Sequence, residues 1–198
     1  TTARSDSNDS ESDEPADKSQ VWLLNRAGGE AMRITEMPGG VSSFEWSPDS
    51  SRLVLVSKDP EETEEEKAAA KERKHDTPTP IVVDRYQFKQ DRVGYLNDRR
   101  TRLYVFDIDK KEATLLTPGP YDNSDPVWGP GGDIIAFTSK RGEDPDRHIT
   151  SDIYVTEAKP DAKPRQVTTW EGADSSPVFS PDGKTIAYLR GGPVKYAW

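Results

Sequence analysis

The sequence predicts an all-β fold, a partial β-propeller. Three observations predict it: a pattern of short apolar segments occurs three times, each copy places four of them within about 40 residues, and Gly, Pro, Asp and Asn separate them. Segments rich in β-branched and aromatic residues are typical of short antiparallel strands. Four such strands form one propeller blade, so we expect about three four-stranded blades and the start of a fourth.

The three copies keep the same spacing between four kinds of residue. Each has an aromatic residue in its first strand, at Trp22, Tyr104 and Tyr154. An apolar residue and a threonine follow 12 or 13 residues later, at Ile34-Thr35, Leu116-Thr117 and Val167-Thr168. A second aromatic residue comes 24 or 25 residues after the first, at Trp46, Trp128 and Phe179. Seven residues further on, Leu53, Ile135 or Ile186 opens another strand.

A turn sequence follows the second aromatic residue of every copy. The three turns are Ser47-Pro48-Asp49-Ser50, Gly129-Pro130-Gly131-Gly132 and Ser180-Pro181-Asp182-Gly183. Proline presets φ at the second turn position, and Gly132 or Gly183 can adopt a positive φ. We therefore expect a hairpin here that joins the two middle strands of each blade.

The aromatic residues of the repeats are expected to fill the space between blades rather than to stack on a ligand. The set comprises Trp22, Trp46, Tyr104, Trp128, Tyr154, Phe179 and Tyr188.

The repeats divide the chain into six predicted segments. These are an acidic flexible segment (1–19), a blade (20–59), an inter-blade insertion (60–100), a blade (101–141), a blade (151–190) and the start of the next blade (191–198). The first half of the insertion predicts a charged, solvent-exposed helix, with Asp59 as N-cap, Pro60 at the first helical position and basic residues near residue 74.

The second half of the insertion holds the candidate binding residues. Residues 81–102 contain six basic residues, three aspartates and interleaved aromatic residues in an otherwise acidic protein. An arginine fork in such a segment could bind a substrate carboxylate, and the candidates are Arg85, Tyr86, Arg99 and Arg100. The alternative is a strand pair whose internal Arg–Asp pairs support the blade.

Composition narrows the classes of partner. The net charge of −9 and the lack of a long basic stripe argue against nucleic acid. No apolar run is long enough for a membrane span. With no cysteine, the sequence leaves the compartment open between cytoplasm and periplasm. Because the chain starts with Thr-Thr and stops in an aromatic stretch, we expect both ends to be cut and any signal peptide to be invisible.

The sequence predicts no catalytic residue, metal site or cofactor within the chain. It has two histidines, His75 and His148, and no G-x-S-x-G, H-E-x-x-H, phosphate-loop or paired-cysteine motif. The acids beside His148, and the Asp-rich start of the chain, are expected to be loop residues rather than metal ligands.

Several stretches together resemble the N-terminal β-propeller of prolyl oligopeptidase family (S9) serine peptidases, in particular the acylaminoacyl-peptidase-like and dipeptidyl-peptidase-like bacterial branch. They are "VSSFEWSPD", "FSPDGKTIAYL" and, more specifically, "DRYQFKQDRVGYLNDRR". The resemblance covers about residues 20–198. It implies a propeller that restricts access of short peptides to an α/β-hydrolase domain. Since that domain is not in this chain, the implied partners are further blades, the hydrolase domain and a short peptide substrate.

Two alternatives remain open at this stage. The first is a non-enzymatic TolB-like propeller that binds a protein partner on one face. The second is a truncated fragment without a function of its own, whose exposed sheet edges would pair with other chains.

Overall fold

The computed structural model describes residues 18–60, 89–90, 94–95, 99–141 and 150–193. Every regular element assigned there is a strand. In chain order they are β1 (Trp22–Leu23), β2 (Met32–Arg33), β3 (Ser43–Trp46), β4 (Arg52–Lys58), β5 (Lys89–Gln90), β6 (Gly94–Tyr95), β7 (Thr101–Asp107), β8 (Glu112–Leu115), β9 (Asn123–Trp128), β10 (Ile134–Ser139), β11 (Asp152–Glu157), β12 (Arg165–Gln166), β13 (Gly172–Phe179) and β14 (Ile186–Pro193). This confirms the all-β class.

The strands form two four-stranded antiparallel sheets flanked by smaller ones. The first sheet has the order β3-β4-β7-β8 and the second the order β9-β10-β11-β12. Two-stranded sheets are formed by β1 with β2 and by β13 with β14, and a short pair is formed by β5 with β6. The four-stranded unit predicted from the repeats is thus present.

The boundaries of the observed sheets do not coincide with those of the predicted segments. The first sheet takes β3 and β4 from 20–59 and β7 and β8 from 101–141. The segment 60–100 therefore leaves and re-enters a single sheet, so it lies within a blade and not between blades. Likewise, the Ser-Pro-Asp turn joins the first strand of a sheet to the second, not the two middle strands. A sequence repeat fixes the period but not the phase, which only the hydrogen bonds between strands reveal. The predicted helix after Pro60 lies outside the described residues.

The first strands of successive sheets lie side by side. Strand β9 contacts both β3 and β13, the strands that open the preceding and the following sheets. Strands β8 and β12 lie at the opposite edges of the two four-stranded sheets. This is the arrangement of a propeller, in which first strands converge on the central axis. We call β3, β9 and β13 the inner strands.

The core lies between sheets. One cluster fills the space between the first and second four-stranded sheets and includes Val54, Leu103, Trp128, Ile135 and Phe137. Another lies between the first sheet and the β1–β2 pair and includes Val21, Ile34, Leu53, Leu55 and Phe106. Because β4 contributes to both clusters, five consecutive residues of it are buried, and this explains its unbroken apolar run "LVLV".

The repeated threonines close the outer strand pairs. The hydroxyl groups of Thr35, Thr117 and Thr168 accept hydrogen bonds from the backbone N–H groups of Val21, Leu103 and Ile153, all at 2.9 Å. The carbonyl groups of these partners, Val21, Leu103 and Ile153, accept bonds of 2.8–3.0 Å from the N–H groups of Ile34, Leu116 and Val167. All three threonines are buried. We call this arrangement the threonine latch, and it satisfies both backbone groups of a buried strand residue.

The first and third of the turns after the second aromatic residue share one side-chain hydrogen-bond pattern. In the first, the Ser47 hydroxyl donates to Asp49 at 2.6 Å and accepts from the Arg52 N–H at 2.9 Å. In the third, Ser180 does the same with Asp182 and Thr185. The last turn residue has a positive φ in each copy: 61° at Ser50, 72° at Gly132 and 69° at Gly183. The positive φ predicted for the two glycines is confirmed.

The aromatic residues of the repeats have two different environments. Trp128 and Tyr154, in the second sheet, are buried as expected. Trp22 and Trp46 are 56% and 43% exposed, so for them packing between blades is not seen among the described residues. They lie in β1 and β3, towards the first flank of the stack of sheets, where the described residues provide less cover.

The threonine latch can be tested at its most buried copy. Thr117→Val keeps the side-chain shape but leaves the Leu103 N–H without an acceptor in the core. We expect a loss of about 1–3 kcal/mol in the free energy of unfolding, measured by urea denaturation of the chain. Thr114→Val, on the exposed face of β8, is the matched control and should change little. Equal effects of the two substitutions would contradict the latch.

The positive φ of the third turn gives a second test. Gly183→Ala places a Cβ atom 3.0 Å from Pro130 in a conformation that non-glycine residues avoid. We expect a loss of about 1–2 kcal/mol in the free energy of unfolding. Gly192→Ala has open space around its Cβ and no positive φ, so it serves as the control. The interpretation fails if Gly192→Ala destabilises the chain as much as Gly183→Ala does.

Candidate binding surface

The polar residues concentrate at one end of the sheets, where the inner strands begin. Because neighbouring strands are antiparallel, the start of β9, the end of β10 and the start of β11 meet there, with Ser139 opposite both Asn123 and Asp152. We call this end the charged end. Its main residues are Asp59, Arg100, Arg102, Tyr121, Asp122, Asn123, Arg141, Asp174 and Arg190.

Asp59 joins the two ends of the segment between β4 and β7. Its carboxylate accepts from Arg102 Nε at 2.6 Å and from the Arg100 N–H at 3.0 Å, and its own N–H donates to the Arg100 carbonyl at 2.9 Å. Partial burial alone would raise the pKa of Asp59, but the bonds from Arg102 and Arg100 hold it below its usual 3.8. Within the described residues the Asp59 carboxylate therefore acts as a clamp on the returning strand, a role that its prediction as an N-cap did not include.

Asp122 connects the second sheet to the same returning strand. It accepts a 2.7 Å bond from the Thr101 N–H and lies 3.5 Å from Arg100 Nη1. Arg102 adds a 2.9 Å bond from Nη1 to the Gly119 carbonyl. The start of β7 is thereby tied both to Asp59 and to the loop that leads into β9.

The structure brings two of the four predicted binding residues to this end. Arg99 and Arg100 precede β7 and are half-buried, and Arg100 faces Asp122. Arg85 and Tyr86 lie outside the described residues. The alternative of a strand pair is also realised in part, because β5 pairs with β6 within the same segment. The Arg–Asp pairs given by the described residues, however, involve Asp59 and Asp122, which lie outside residues 81–102.

The third repeat carries an ion pair at this end, between the buried carboxylate of Asp174 and the exposed side chain of Arg190. Arg190 donates from Nε and Nη2 to the two carboxylate oxygens of Asp174 at 2.9 and 3.0 Å. These bonds hold the pKa of Asp174 below its usual value. The guanidinium also lies 5.0 Å from the ring centre of Trp170 and 5.3 Å from that of Tyr188. Such a bidentate ion pair between one arginine and one carboxylate is strong and directional.

Arg141, which sequence reasoning missed, occupies the centre of the charged end. It follows β10 and lies 4.9–5.4 Å from the ring centres of Tyr121, Phe137 and Tyr154. Its Nε donates to the Ser139 hydroxyl at 3.0 Å and its Nη2 to the Asn123 amide oxygen at 2.9 Å. Burial lowers its pKa. A basic residue directly after a buried strand was the available signal, but the rings come from three separate segments.

Two inner strands carry the same backbone irregularity. Strands β9 and β13 contain a bulge, and Asp125 and Ser176 adopt φ values of 48° and 54° there. Each stands three residues before the second aromatic residue of its repeat and directly before a proline. Bulges bend a strand and re-aim its side chains, and they are frequent beside binding sites. Both side chains are exposed.

Within the part of the chain that the structure describes, no cluster of three or more His, Asp or Glu residues is placed to hold a metal ion. The described residues also contain no helix with the length and hydrophobicity that a membrane span requires. His148 and the acids beside it, and the Asp-rich start of the chain, lie outside the described residues.

Comparison with known proteins identifies the region. No protein-family model matches the chain. It is 31% identical to the uncharacterised peptidase YuxL of Bacillus subtilis over 145 residues, which are 73% of this chain and 22% of that protein. It is 27% identical to dipeptidyl-peptidase 5 of Arthroderma otae in an alignment that covers 86% of this chain and 27% of that protein. The chain is an S9-peptidase propeller-like region.

Solved structures agree on the fold of this propeller-like region. The acylaminoacyl peptidase of Pyrococcus horikoshii aligns with a TM-score of 0.61 at 22% identity, over 89% of this chain and 25% of that one. TolB from Acinetobacter baumannii aligns with a TM-score of 0.52 at 15% identity, over 87% of this chain and 32% of that one. The chain thus spans about a quarter of the length of the peptidases it matches.

The clamp around Asp59 makes stability depend on pH. A carboxylate whose pKa falls on folding stabilises the protein above its unfolded pKa, and this contribution is lost as pH falls below about 4. Asp59→Asn should lower the free energy of unfolding by about 1–2 kcal/mol at pH 7 and reduce its acid dependence. Urea denaturation curves recorded at about six pH values between about 2.5 and 7 measure both effects.

A double-mutant cycle supplies the control for this prediction. Combining Asp59→Asn with Arg102→Gln should give a coupling energy at pH 7 that shrinks in acid, because protonation of Asp59 ends the charged interaction. A coupling energy that stays constant over this pH range would rule out the ionised clamp.

Proposed function

We propose that the chain is the substrate-gating propeller part of an S9 serine peptidase that hydrolyses short peptides. Catalysis takes place in an α/β-hydrolase domain outside these 198 residues, since the chain has no G-x-S-x-G sequence and only two histidines. The observation that carries the proposal is the sequence match to YuxL, whose name is that of a peptidase, over 73% of this chain. The dipeptidyl-peptidase 5 match over 86% of the chain supports it.

Exposed apolar side chains at both flanks support a larger propeller. Phe44 and Trp46 are 51% and 43% exposed in the first sheet, and Val178 and Leu189 are 57% and 66% exposed in the β13–β14 pair. Isolated two-stranded sheets are only marginally stable, so β13 and β14 need further strands. The remaining blades of the same enzyme are the partners that these surfaces fit.

The charged end is the surface that selects substrate in this proposal. Arg99 and Arg100 lie there, and Arg85 and Tyr86, outside the described residues, complete the proposed set. An arginine fork recognises the carboxylate of a short peptide by direction as well as by charge. Recognition by charge suits a cavity that must admit many side chains.

A TolB-like interaction module is the second candidate function. It is favoured by the alignment with TolB from Acinetobacter baumannii at a TM-score of 0.52. The acylaminoacyl peptidase aligns better, at 0.61, and the relatives matched by sequence are named as peptidases. The two candidates differ in one respect: only the peptidase has a nucleophilic serine in the same protein.

The first test is labelling with a fluorophosphonate probe of serine hydrolases. The complete protein that contains this chain is incubated with the probe and analysed by denaturing intact-mass measurement. We expect one covalent adduct on a serine outside the 198 residues, because the probe reacts with an activated nucleophile. Prior heat denaturation should abolish it. A native, folded protein that takes up no probe would favour the interaction module.

The second test addresses the proposed substrate contacts. In the complete protein, Arg99→Ala and Arg100→Ala should each raise KM by about tenfold and change kcat by less than about twofold, since they bind substrate but do not react with it. Lys184→Ala, an exposed cation in the turn before β14, is the control. Unchanged peptide kinetics in both arginine variants would make this segment structural.

A further inference from the structure

Arg141 differs from three other arginines of the charged end in its partners. Arg100, Arg102 and Arg190 each form an ion pair with an aspartate: Asp122, Asp59 and Asp174 respectively. Among the described residues no carboxylate contacts the Arg141 guanidinium, whose hydrogen bonds go to a hydroxyl and an amide oxygen. Among the described residues, the positive charge of Arg141 therefore has no carboxylate partner.

The guanidinium of Arg141 is held in a fixed orientation with one nitrogen available. Two of its nitrogens are bonded to Ser139 and Asn123, and the rings of Tyr121, Phe137 and Tyr154 surround it. The third nitrogen, Nη1, has no hydrogen-bond partner among the described residues, and it is not one of the buried polar atoms that lack a partner. Nη1 is therefore not fully buried, and the bonds of the other two nitrogens fix its direction.

The next repeat shows what a compensated version of this site contains. Asn123 and Asp174 both stand five residues before the second aromatic residue of their repeats, at the start of an inner strand. Asp174 neutralises Arg190, whereas Asn123 offers Arg141 a neutral amide oxygen. Arg190 lies directly opposite Asp174, whereas Arg141 lies two residues beyond Ser139, the residue opposite Asn123. Both arginines reach the same inner-strand position, and only the third repeat has a carboxylate there.

We propose that Arg141 is a binding site for a carboxylate group of a peptide, which accepts a hydrogen bond from Nη1 and supplies the negative charge that Asp174 supplies to Arg190. A planar guanidinium with two nitrogens fixed and one accessible suits a planar, singly charged carboxylate. The net charge of −9 disfavours more highly charged anions such as phosphate esters. The carboxylate can be the C-terminus of the peptide or the side chain of an Asp or Glu residue. The choice of a peptide as the ligand rests on the proposed function, whereas binding of a carboxylate by Arg141 is measured without any peptidase activity.

The test is calorimetric titration, with three small peptides at low salt, of the complete protein that contains this chain after incubation with the fluorophosphonate probe, which blocks hydrolysis of the peptides. The probes are N-acetyl-Ala-Ala with a free C-terminal carboxylate, the same peptide as its amide, and N-acetyl-Ala-Asp-Ala amide. We expect the free acid to bind and the first amide not to bind. Binding of the aspartyl peptide would extend the site to side-chain carboxylates, and its failure to bind would restrict the site to C-termini. If neither carboxylate peptide binds, or if the acid and its amide bind equally, the proposal is wrong.

Variants identify the residue responsible. Arg141→Gln should weaken binding of the acid at least tenfold, and Arg141→Lys should weaken it several-fold, because an ammonium group cannot make the same set of directed bonds. Lys184→Gln removes the same charge at the opposite end of the sheets and should leave binding unchanged. Equal binding by Arg141→Gln and the parent chain would overturn the assignment.

A measurement on the unaltered chain covers the case in which Arg141→Gln fails to fold. The Arg141 Nε–H resonance, assigned in a ¹⁵N-labelled sample, should shift on addition of the acid and not of its amide. A resonance that is unmoved by a saturating concentration of the acid would contradict the site independently of any variant.

Discussion

The structure depends on the burial of its second strands on both faces. Strand β4 has a core cluster on either side, and β10 is buried over five consecutive residues. A sheet with two apolar faces is stable only between two other layers, so each sheet requires neighbours. This requirement explains how a chain with only 32% hydrophobic residues builds a core: it concentrates them in a few strands and covers those from both sides.

Burial on both faces also determines where charge can lie. Charged side chains cannot be placed within strands such as β4 without a partner, so they collect where strands begin and end. At the charged end, Asp59 and Asp122 bind the start of β7, the strand that re-enters the first sheet after residues 60–100. Asp174 binds Arg190 near the end of β14. The groups that can recognise a ligand are therefore the same kind of group that ties strand ends together. Arg102 and Arg190 are paired with aspartates, whereas Arg141 has no carboxylate partner among the described residues.

The sequence predicted the features that repeat and missed those that depend on contacts between repeats. The spacing of Thr35, Thr117 and Thr168 was recognised as part of the repeat, but the hydrogen bond that each hydroxyl accepts was not predicted. The phase of the sheets was not predictable, since a period can be cut at any point along its length. Arg141 could not be assigned for a related reason: its surroundings come from β10, β11 and the loop before β9, and no spacing within one repeat encodes them. Arg99 and Arg100 were proposed from local composition, which located the basic segment but not its carboxylate partners.

A repeat fold gives function a specific way to arise. The positions that satisfy the backbone, such as the latch threonines, must stay the same in every copy because each buried N–H needs an acceptor. Side chains at the strand ends do not have to accept a bond from a buried N–H group, and there the copies differ. The start of β9 has Asn123 where the start of β13 has Asp174. Asp174 forms an ion pair with Arg190, whereas Asn123 offers a neutral amide oxygen to Arg141, an arginine that stands two residues further along its repeat. Comparing equivalent positions within one chain therefore separates the residues that hold the blade from those that are available to a ligand.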